Sequence, residues 1–303
     1  MSEGKGAKPA SPARAGGKAA PRLDVRKTYK LYIGGAFPRS ESGRSYPVLG
    51  ADGGLLALAA KASRKDLRDA VVAARGAVRG WSGATAYNRG QVLYRVAELM
   101  EGRSAQFAAE VAEAEGVRRA EAESLVAAAI DRWVWYAGWS DKVAQVAGAA
   151  NPVAGPYFNF SVPEPTGVVA VLAPAQSSLL GLVSVLAPVI VTGNTAVVVA
   201  SEDRPLPSVE LAEVLATSDV PPGVVNMLTG SLHELAPVAA GHMDVNAIDL
   251  TGAPAADRPD LERAAAANLK RVFDGDEAWS DPPGTRRLLA GLEIKTVWHP
   301  VGI

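Results

Sequence analysis

The sequence, 303 residues long, contains no cysteine. Disulfides and thiolate metal sites are therefore excluded. Histidine is nearly as scarce: His233, His242 and His299 are scattered, which argues against an imidazole metal centre and leaves each as an ordinary surface or hydrogen-bonded side chain. Long apolar runs are missing too. The run from Leu179 to Val191 falls short of the roughly 20 residues that a membrane span needs and carries Gly, Ser and Pro. Residues 1–26 lack the apolar stretch of a secretory signal. The expectation is a cytoplasmic protein without membrane partners.

Hydrophobic residues make up 48% of the chain and charged residues 21%, enough apolar material for a sizeable core in a soluble fold. The formal net charge of −1 conceals an asymmetry. Residues 1–30 carry eight Lys or Arg against Glu3 and Asp24, so the remainder is acidic. A nucleic-acid-binding domain is basic over its folded surface, so no nucleic-acid partner is expected. Residues 1–26, with Gly, Ala, Pro and Lys and almost no large apolar side chains, read as a disordered basic tail that aids solubility. Recruitment of nucleic acid, anionic membrane or an acidic protein by that tail is the weaker reading, because no aromatics interleave its charges.

Along the chain, Leu31–Ile33 reads as a short strand into Gly34-Gly35, and Tyr46–Leu49 as a strand before the Asp52-Gly53-Gly54 turn. Ser63 with Asp66 three residues on marks a helix start, and 66–78 continues it until Gly80. Segments 88–100, 105–114 and 118–142 have helical apolar spacing. The stripe Ile130, Trp133, Val134 and Ala137 belongs to helix packing rather than to a ligand box.

From Gly155 the texture changes. Tyr157–Val162 alternates as a half-exposed strand, and 163–167 reads as a turn. Val168–Ala173 is continuously apolar, as a parallel strand buried on both faces should be. Strands at 195–199, 224–228 and 247–250 then alternate with helices at 179–191, 207–216 and 231–240. That alternation predicts an α/β fold: a doubly wound, Rossmann-like, mostly parallel sheet preceded by N-terminal helices.

Eight motifs stand in order: Leu31-Tyr32-Ile33-Gly34-Gly35, Gly80-Trp81-Ser82, Gly155-Pro156-Tyr157-Phe158, Glu164-Pro165-Thr166-Gly167-Val168-Val169, Ala187-Pro188, Gly193-Asn194-Thr195, Pro221-Pro222-Gly223-Val224-Val225-Asn226 and Leu250-Thr251-Gly252. Their order resembles the aldehyde dehydrogenase superfamily over residues 30–253, and again over 285–301. The resemblance implies the cofactor-binding half of such an enzyme. Its cofactor positions fall here on Pro174, Gln176, Ser201, Glu202, Gly230, Thr251 and Gly252.

The chemistry that the family carries does not come with them. Where the family has Pro-Trp-Asn, this chain has Pro174-Ala175-Gln176, so a longer amide replaces the oxyanion donor, which must sit about 3 Å from the developing charge. Where the family has Lys-Pro-Ser-Glu, Val199-Ala200-Ser201-Glu202 stands. The ribose-holding Lys is lost and the acidic residue kept. Gly252 is followed by Ala253 and Pro254 instead of Ser, and Asp257 adds a negative charge where pyrophosphate would approach. The Glu-Leu-Gly-Gly-Lys segment with its general base has no counterpart, and no thiol can attack an aldehyde. Ser177 and Ser178 have no His at a recognisable spacing. No catalytic residue and no metal site is assigned. No cofactor is expected, with NAD(P) as the alternative. The retained Gly167, Gly193, Gly223 and Gly252 serve a βα fold as turn residues with or without a nucleotide.

After Gly252 only about fifty residues remain, too few for a domain of roughly 100–200 residues. Residues 27–253 are expected to form the cofactor-type domain including a hairpin at 155–166, with 254–284 as a linker in place of the catalytic domain. Within that linker, 264–269 could form a helix. Leu292–Trp298 alternates apolar and polar, and resembles the last strand of family members, which joins a small antiparallel oligomerisation sheet. Residues 285–303 are assigned to it. The expectation is a non-catalytic subunit that assembles with itself or with a complete aldehyde dehydrogenase. Its rival is an NAD(P)-dependent oxidoreductase acting on aldehydes, whose site a partner completes.

Overall fold

The computed structural model describes residues 1, 27–275 and 278–302; the tail expectation for residues 1–26 lies outside the described residues except for Met1. The chain opens with β1 (Thr28–Tyr29), β2 (Ser45–Leu49) and β3 (Leu55–Ala60), a small sheet in the order β1-β3-β2. Four helices follow: α1 (Arg64–Gly83), α2 (Ala86–Gly102), α3 (Ser104–Glu115) and α4 (Arg119–Trp139). The Ser63 start signal is a full capping box, in which Ser63 Oγ accepts from the Lys65 and Asp66 N–H groups and Asp66 accepts from the Ser63 N–H at 2.7 Å. α1 runs through Gly80 because Trp81 is anchored below it, its indole N–H donating to the Ile190 carbonyl at 2.8 Å.

A short α5 (Val143–Ala147) leads to β4 (Ala149–Asn151) and β5 (Tyr157–Pro165). Then come β6 (Val168–Leu172), α6 (Leu180–Val191), β7 (Thr195–Val199), α7 (Leu206–Leu215), β8 (Val225–Leu228), α8 (Leu232–Gly241) and β9 (Ala247–Asp249). The chain closes with α9 (Arg258–Ala266), β10 (Arg271–Phe273), α10 (Arg286–Ala290) and β11 (Leu292–Pro300).

The central sheet is parallel, in the order β10-β9-β6-β7-β8, with helices on both faces. This is the doubly wound order, and it explains the apolar runs: every residue of β6, β7, β8 and β9 is buried. Val169 and Val171 of β6 enter the larger core with Leu93, Trp133 and all the apolar residues of α6. Val168, Ala170 and Leu172 point the other way, to Leu67 and Val71 of α1, Leu235 of α8 and Leu261 of α9. Each fully buried Leu or Val contributes roughly 1.5–3 kcal/mol.

Several expectations change. Leu31–Ile33 makes isolated bridges only, Tyr32 exchanging hydrogen bonds with Met227 at 2.9 and 2.7 Å. It thereby caps the outer edge of β8. The expected turn at 163–167 begins later, since β5 continues to Pro165 while pairing with β11. Residues 254–284, expected as a linker, carry α9 and β10, and β10 is the outer strand of the parallel sheet beside β9. The helix suggested at 264–269 lies earlier, and Leu269 adopts a left-handed φ of 56° that ends that turn.

The small antiparallel sheet has the order β11-β5-β4, with β11 pairing along the full length of β5. Among the described residues, no helix is long and apolar enough to cross a membrane.

Candidate functional site

Strand order in the parallel sheet reverses between β6 and β9. In an open α/β sheet the crevice outside the carboxyl ends of the strands, at such a reversal, is the natural ligand site. All seven residues singled out from the sequence sit in the loops at these ends: Pro174 and Gln176 after β6, Ser201 and Glu202 after β7, Gly230 after β8, Thr251 and Gly252 after β9.

Most of these groups are engaged with the chain itself. Pro174 is buried against the first turn of α6, its ring 3.1 Å from where a Cβ on Gly181 would lie. Gln176 is exposed, and its backbone carbonyl accepts from Arg204 Nη1 at 2.5 Å. Ser201 Oγ donates to the Ala175 carbonyl at 3.0 Å and accepts from the Arg204 N–H at 3.2 Å, lacing the loop after β7 to the loop after β6. The Glu202 carboxylate accepts the Leu232 N–H at 3.0 Å. It satisfies an orphan donor at the start of α8 and complements the positive end of that helix.

The two glycines are demanded by backbone packing. Gly230 has φ of 139°, and a Cβ there would lie 2.9 Å from the Ala62 nitrogen. At Gly252 a Cβ would lie 2.0 Å from the Ala173 carbonyl oxygen, and its N–H donates to the Leu172 carbonyl at 2.9 Å. Thr251 turns inward, its hydroxyl donating to Asp249 Oδ1 at 2.5 Å.

A dinucleotide brings a pyrophosphate, and the crevice is poorly suited to it. Near the start of α9, Pro254 and Pro259 have no N–H to offer, while Asp257 at the N-cap and Asp260 in the first turn present carboxylates to an incoming anion. Arg258 is already turned to Asp274 at 2.6 Å and to the Ala253 carbonyl. Between α8 and α9 lies a slot of about 120 Å³ lined by Leu232, Ala236, Leu261 and both aspartates, well below the 300–1,000 Å³ of small-molecule pockets. Ser178, the other sequence candidate, donates to Glu115 at 2.6 Å. Among the described residues, no cluster of His, Asp and Glu could hold a metal.

Sequence reasoning missed the residues that fill the far side of this sheet end. Arg287 Nη1 meets Asp249 Oδ2 at 2.6 Å, and Nη2 reaches Thr251 Oγ1 at 3.1 Å. Burial pushes the Asp249 carboxyl up, and the Arg287 guanidinium opposes that shift. Arg132 of α4 donates to the Trp279 and Asp281 carbonyls at 2.9 and 3.0 Å and to Ser184 Oγ. Two buried arginines thus fasten the segment between β10 and β11. The signal available in sequence was a lone Asp249 within an apolar strand, which burial makes costly unless it is paired.

The aldehyde dehydrogenase family profile matches residues 39–273. Mouse cytosolic 10-formyltetrahydrofolate dehydrogenase is 31% identical over 263 residues, covering 84% of this chain and 29% of its own length. Mouse retinal dehydrogenase 2 is 33% identical over 259 residues, 83% of this chain and 49% of its own. Among solved structures, HpcC from Thermus thermophilus superposes with a TM-score of 0.76 at 30% identity, covering 81% of this chain and 47% of that one. An NAD+ complex of aldehyde dehydrogenase from Bacillus cereus gives 0.76 at 26% identity, covering 81% and 50%. The chain spans half the length of these relatives or less.

Proposed function

The chain belongs to the aldehyde dehydrogenase family, and from that premise we propose that it is a non-catalytic member that serves as an assembly subunit. One observation carries the reading. Between Phe273 at the end of β10 and Leu292 at the start of β11 the chain needs only residues 274–291, held down by Arg132 and Arg287, before it joins the small antiparallel sheet. No domain stands between the cofactor-type sheet and that strand. Without a cysteine there is also no thiolate to form a covalent adduct with an aldehyde carbon.

The crevice supports the same reading. Glu202 is committed to α8, Thr251 to Asp249, and Gly252 to the end of β6. The carboxylates of Asp257 and Asp260 disfavour a second anion there. What the chain offers a partner is the sheet of β4, β5 and β11, with a complete aldehyde dehydrogenase or another copy of the chain as the partner classes.

Calorimetric titration of the purified chain with NAD+ and NADP+ tests the cofactor half. The expected result is no heat of binding at millimolar nucleotide. Micromolar affinity would overturn it and favour an NAD(P)-dependent oxidoreductase whose aldehyde site a partner completes. Light scattering of the chain, alone and mixed with a complete aldehyde dehydrogenase, tests assembly; a monomer in both samples would refute the subunit role.

A further inference from the structure

A groove of about 820 Å³ runs between α2 and the end of α4, and Asp219, beyond the end of α7, also lines it. Its floor is where the two helices meet closely: Gly90 is buried, and a Cβ there would fall 2.4 Å from Ser140 Oγ. Its walls carry exposed large side chains, Tyr87 at 68%, Tyr94 at 51% and Val134 at 40%. Three carboxylates face it. Glu98 is paired with Arg95 at 3.1 Å and Asp141 with Lys142 at 3.0 Å, whereas no hydrogen bond or ion pair reaches the Asp219 carboxylate among the described residues. Asp219 is exposed and has a left-handed φ of 64°, a conformation that a short polar side chain tolerates better than most. A groove walled by aromatic rings, with one unanswered carboxylate, suits an extended segment that carries proline and a cation.

The spacing of the rings says which segment. Tyr87 and Tyr94 stand seven residues apart on α2, so they share a helix face and are offset by about 10.5 Å along the axis. In a polyproline II helix, prolines three residues apart also share a face, about 9.3 Å from each other. The chain itself contains such a segment: Lys8-Pro9-Ala10-Ser11-Pro12-Ala13-Arg14, which lies outside the described residues. No other two prolines in the sequence stand three residues apart. The proline and tyrosine spacings agree to about 1 Å. Lys8 and Arg14 place a cation beyond either proline, for the carboxylate at the groove.

We propose that the groove between α2 and α4 holds residues 8–14 of the same chain, with Pro9 and Pro12 on Tyr87 and Tyr94 and a flanking cation on Asp219. The tether is long enough. Lys27 is fixed to Glu213 of α7 at 2.9 Å, and Asp219 lies only six residues further along. Six residues span at most about 20 Å, while the thirteen from Arg14 to Lys27 reach up to about 45 Å. The segment thus reaches the groove with length to spare and without any change in the fold.

Prolines suit the task for an entropic reason. A segment already biased to the polyproline II form loses little freedom when it is bound. Tethering raises its local concentration at the groove, so weak contacts suffice to fill it. The ion pair with Asp219 is exposed and weakens as salt is added.

Because the chain has no cysteine, two thiols can be placed at will. Ser11→Cys lies between the two prolines, and Gln91→Cys lies between the two tyrosines in the groove lining. The full chain carrying both should form a disulfide within one chain on mild oxidation, read by peptide mapping of the monomer. Adding Pro9→Ala with Pro12→Ala, or Asp219→Asn, should slow that reaction by about tenfold, because the local concentration of the segment at the groove falls. These changes spare the fold: the prolines lie outside the described residues, and Asn adopts the left-handed conformation as readily as Asp. A second pair, Ser11→Cys with Glu262→Cys on α9, across the parallel sheet from α2, reports random encounter and should react more slowly. Equal rates for both pairs, or a rate at Gln91→Cys unchanged by losing the prolines, would overturn the proposal. A disulfide that joins two chains would assign the groove to a second copy's segment and overturn it too.

Discussion

Asp249 and Arg287 meet at 2.6 Å, with only 7% and 4% of their side chains exposed. Arg287 lies over the Phe273 ring at 4.7 Å and 5.5 Å from that of Trp279, so its charge is held between a carboxylate and two aromatic faces. The pair ties α10, and with it the run into β11, to the end of β9. Desolvating two charges is costly, and their attraction offsets that cost only while both are present.

Removing one partner should therefore be much worse than removing both. Arg287→Met or Asp249→Asn is expected to lose about 3–5 kcal/mol of stability, while the double variant Asp249→Leu with Arg287→Met recovers most of it. Urea unfolding of the four proteins measures this, and a double variant no better than the singles would contradict it.

Gly252→Ala should destabilise the chain by about 3 kcal/mol or more, because the new methyl meets the backbone carbonyl oxygens of Ala173 and Leu172, at the end of β6, at 2.0 and 2.7 Å. Thermal unfolding without any nucleotide is the measurement. A wild-type melting curve would mean that this glycine is not a packing residue.

A pH dependence follows from Glu110 on α3. Burial first, and the Glu210 carboxylate second, push it up to about 7. Tyr29 donates to its Oε1 at 3.4 Å, Oε2 is unpartnered, and Arg103 and Lys27 are turned to Glu210 and Glu213 of α7. Its unfolded value is about 4.3. The folded chain thus keeps a proton that the unfolded chain releases, so this group's contribution to stability is complete below the unfolded value and is lost as the pH rises to about 7. Glu110→Gln should accordingly gain about 1–2 kcal/mol on the wild type between acidic and mildly alkaline solution, a figure discounted for partial exposure. Unfolding titrations at both pH values decide; an unchanged difference would show that Glu110 ionises normally.

Arg132→Met should loosen residues 278–285 by removing the two carbonyl contacts at Trp279 and Asp281. Limited proteolysis should then cut near Pro282 faster than in the wild type. An unchanged digestion pattern would show that Arg287 alone holds the segment.

Much of this was legible in sequence wherever the determinant was local. The capping box at Ser63 lies within four residues, and β7 falls on its expected bounds because five buried residues in a row have no other comfortable place than a parallel strand covered on both faces. β4 and β10 were not legible, since these short, mostly exposed segments, unlike the buried β9, carry no apolar run and become strands only where a neighbouring edge offers hydrogen bonds. The extension of β5 to Pro165 depends in the same way on β11.

The candidate site divides along the same line. Residue types alone determined that thiol chemistry is absent and that the loops after the parallel strands carry prolines and carboxylates in place of phosphate donors. Only the tertiary structure decided what the retained residues do. Glu202 reaches Leu232 thirty positions away, and Asp249 finds Arg287 thirty-eight positions away. A buried charge or a helix-end N–H must be satisfied by whatever the fold brings within about 3 Å, and no local pattern in the chain records that distance.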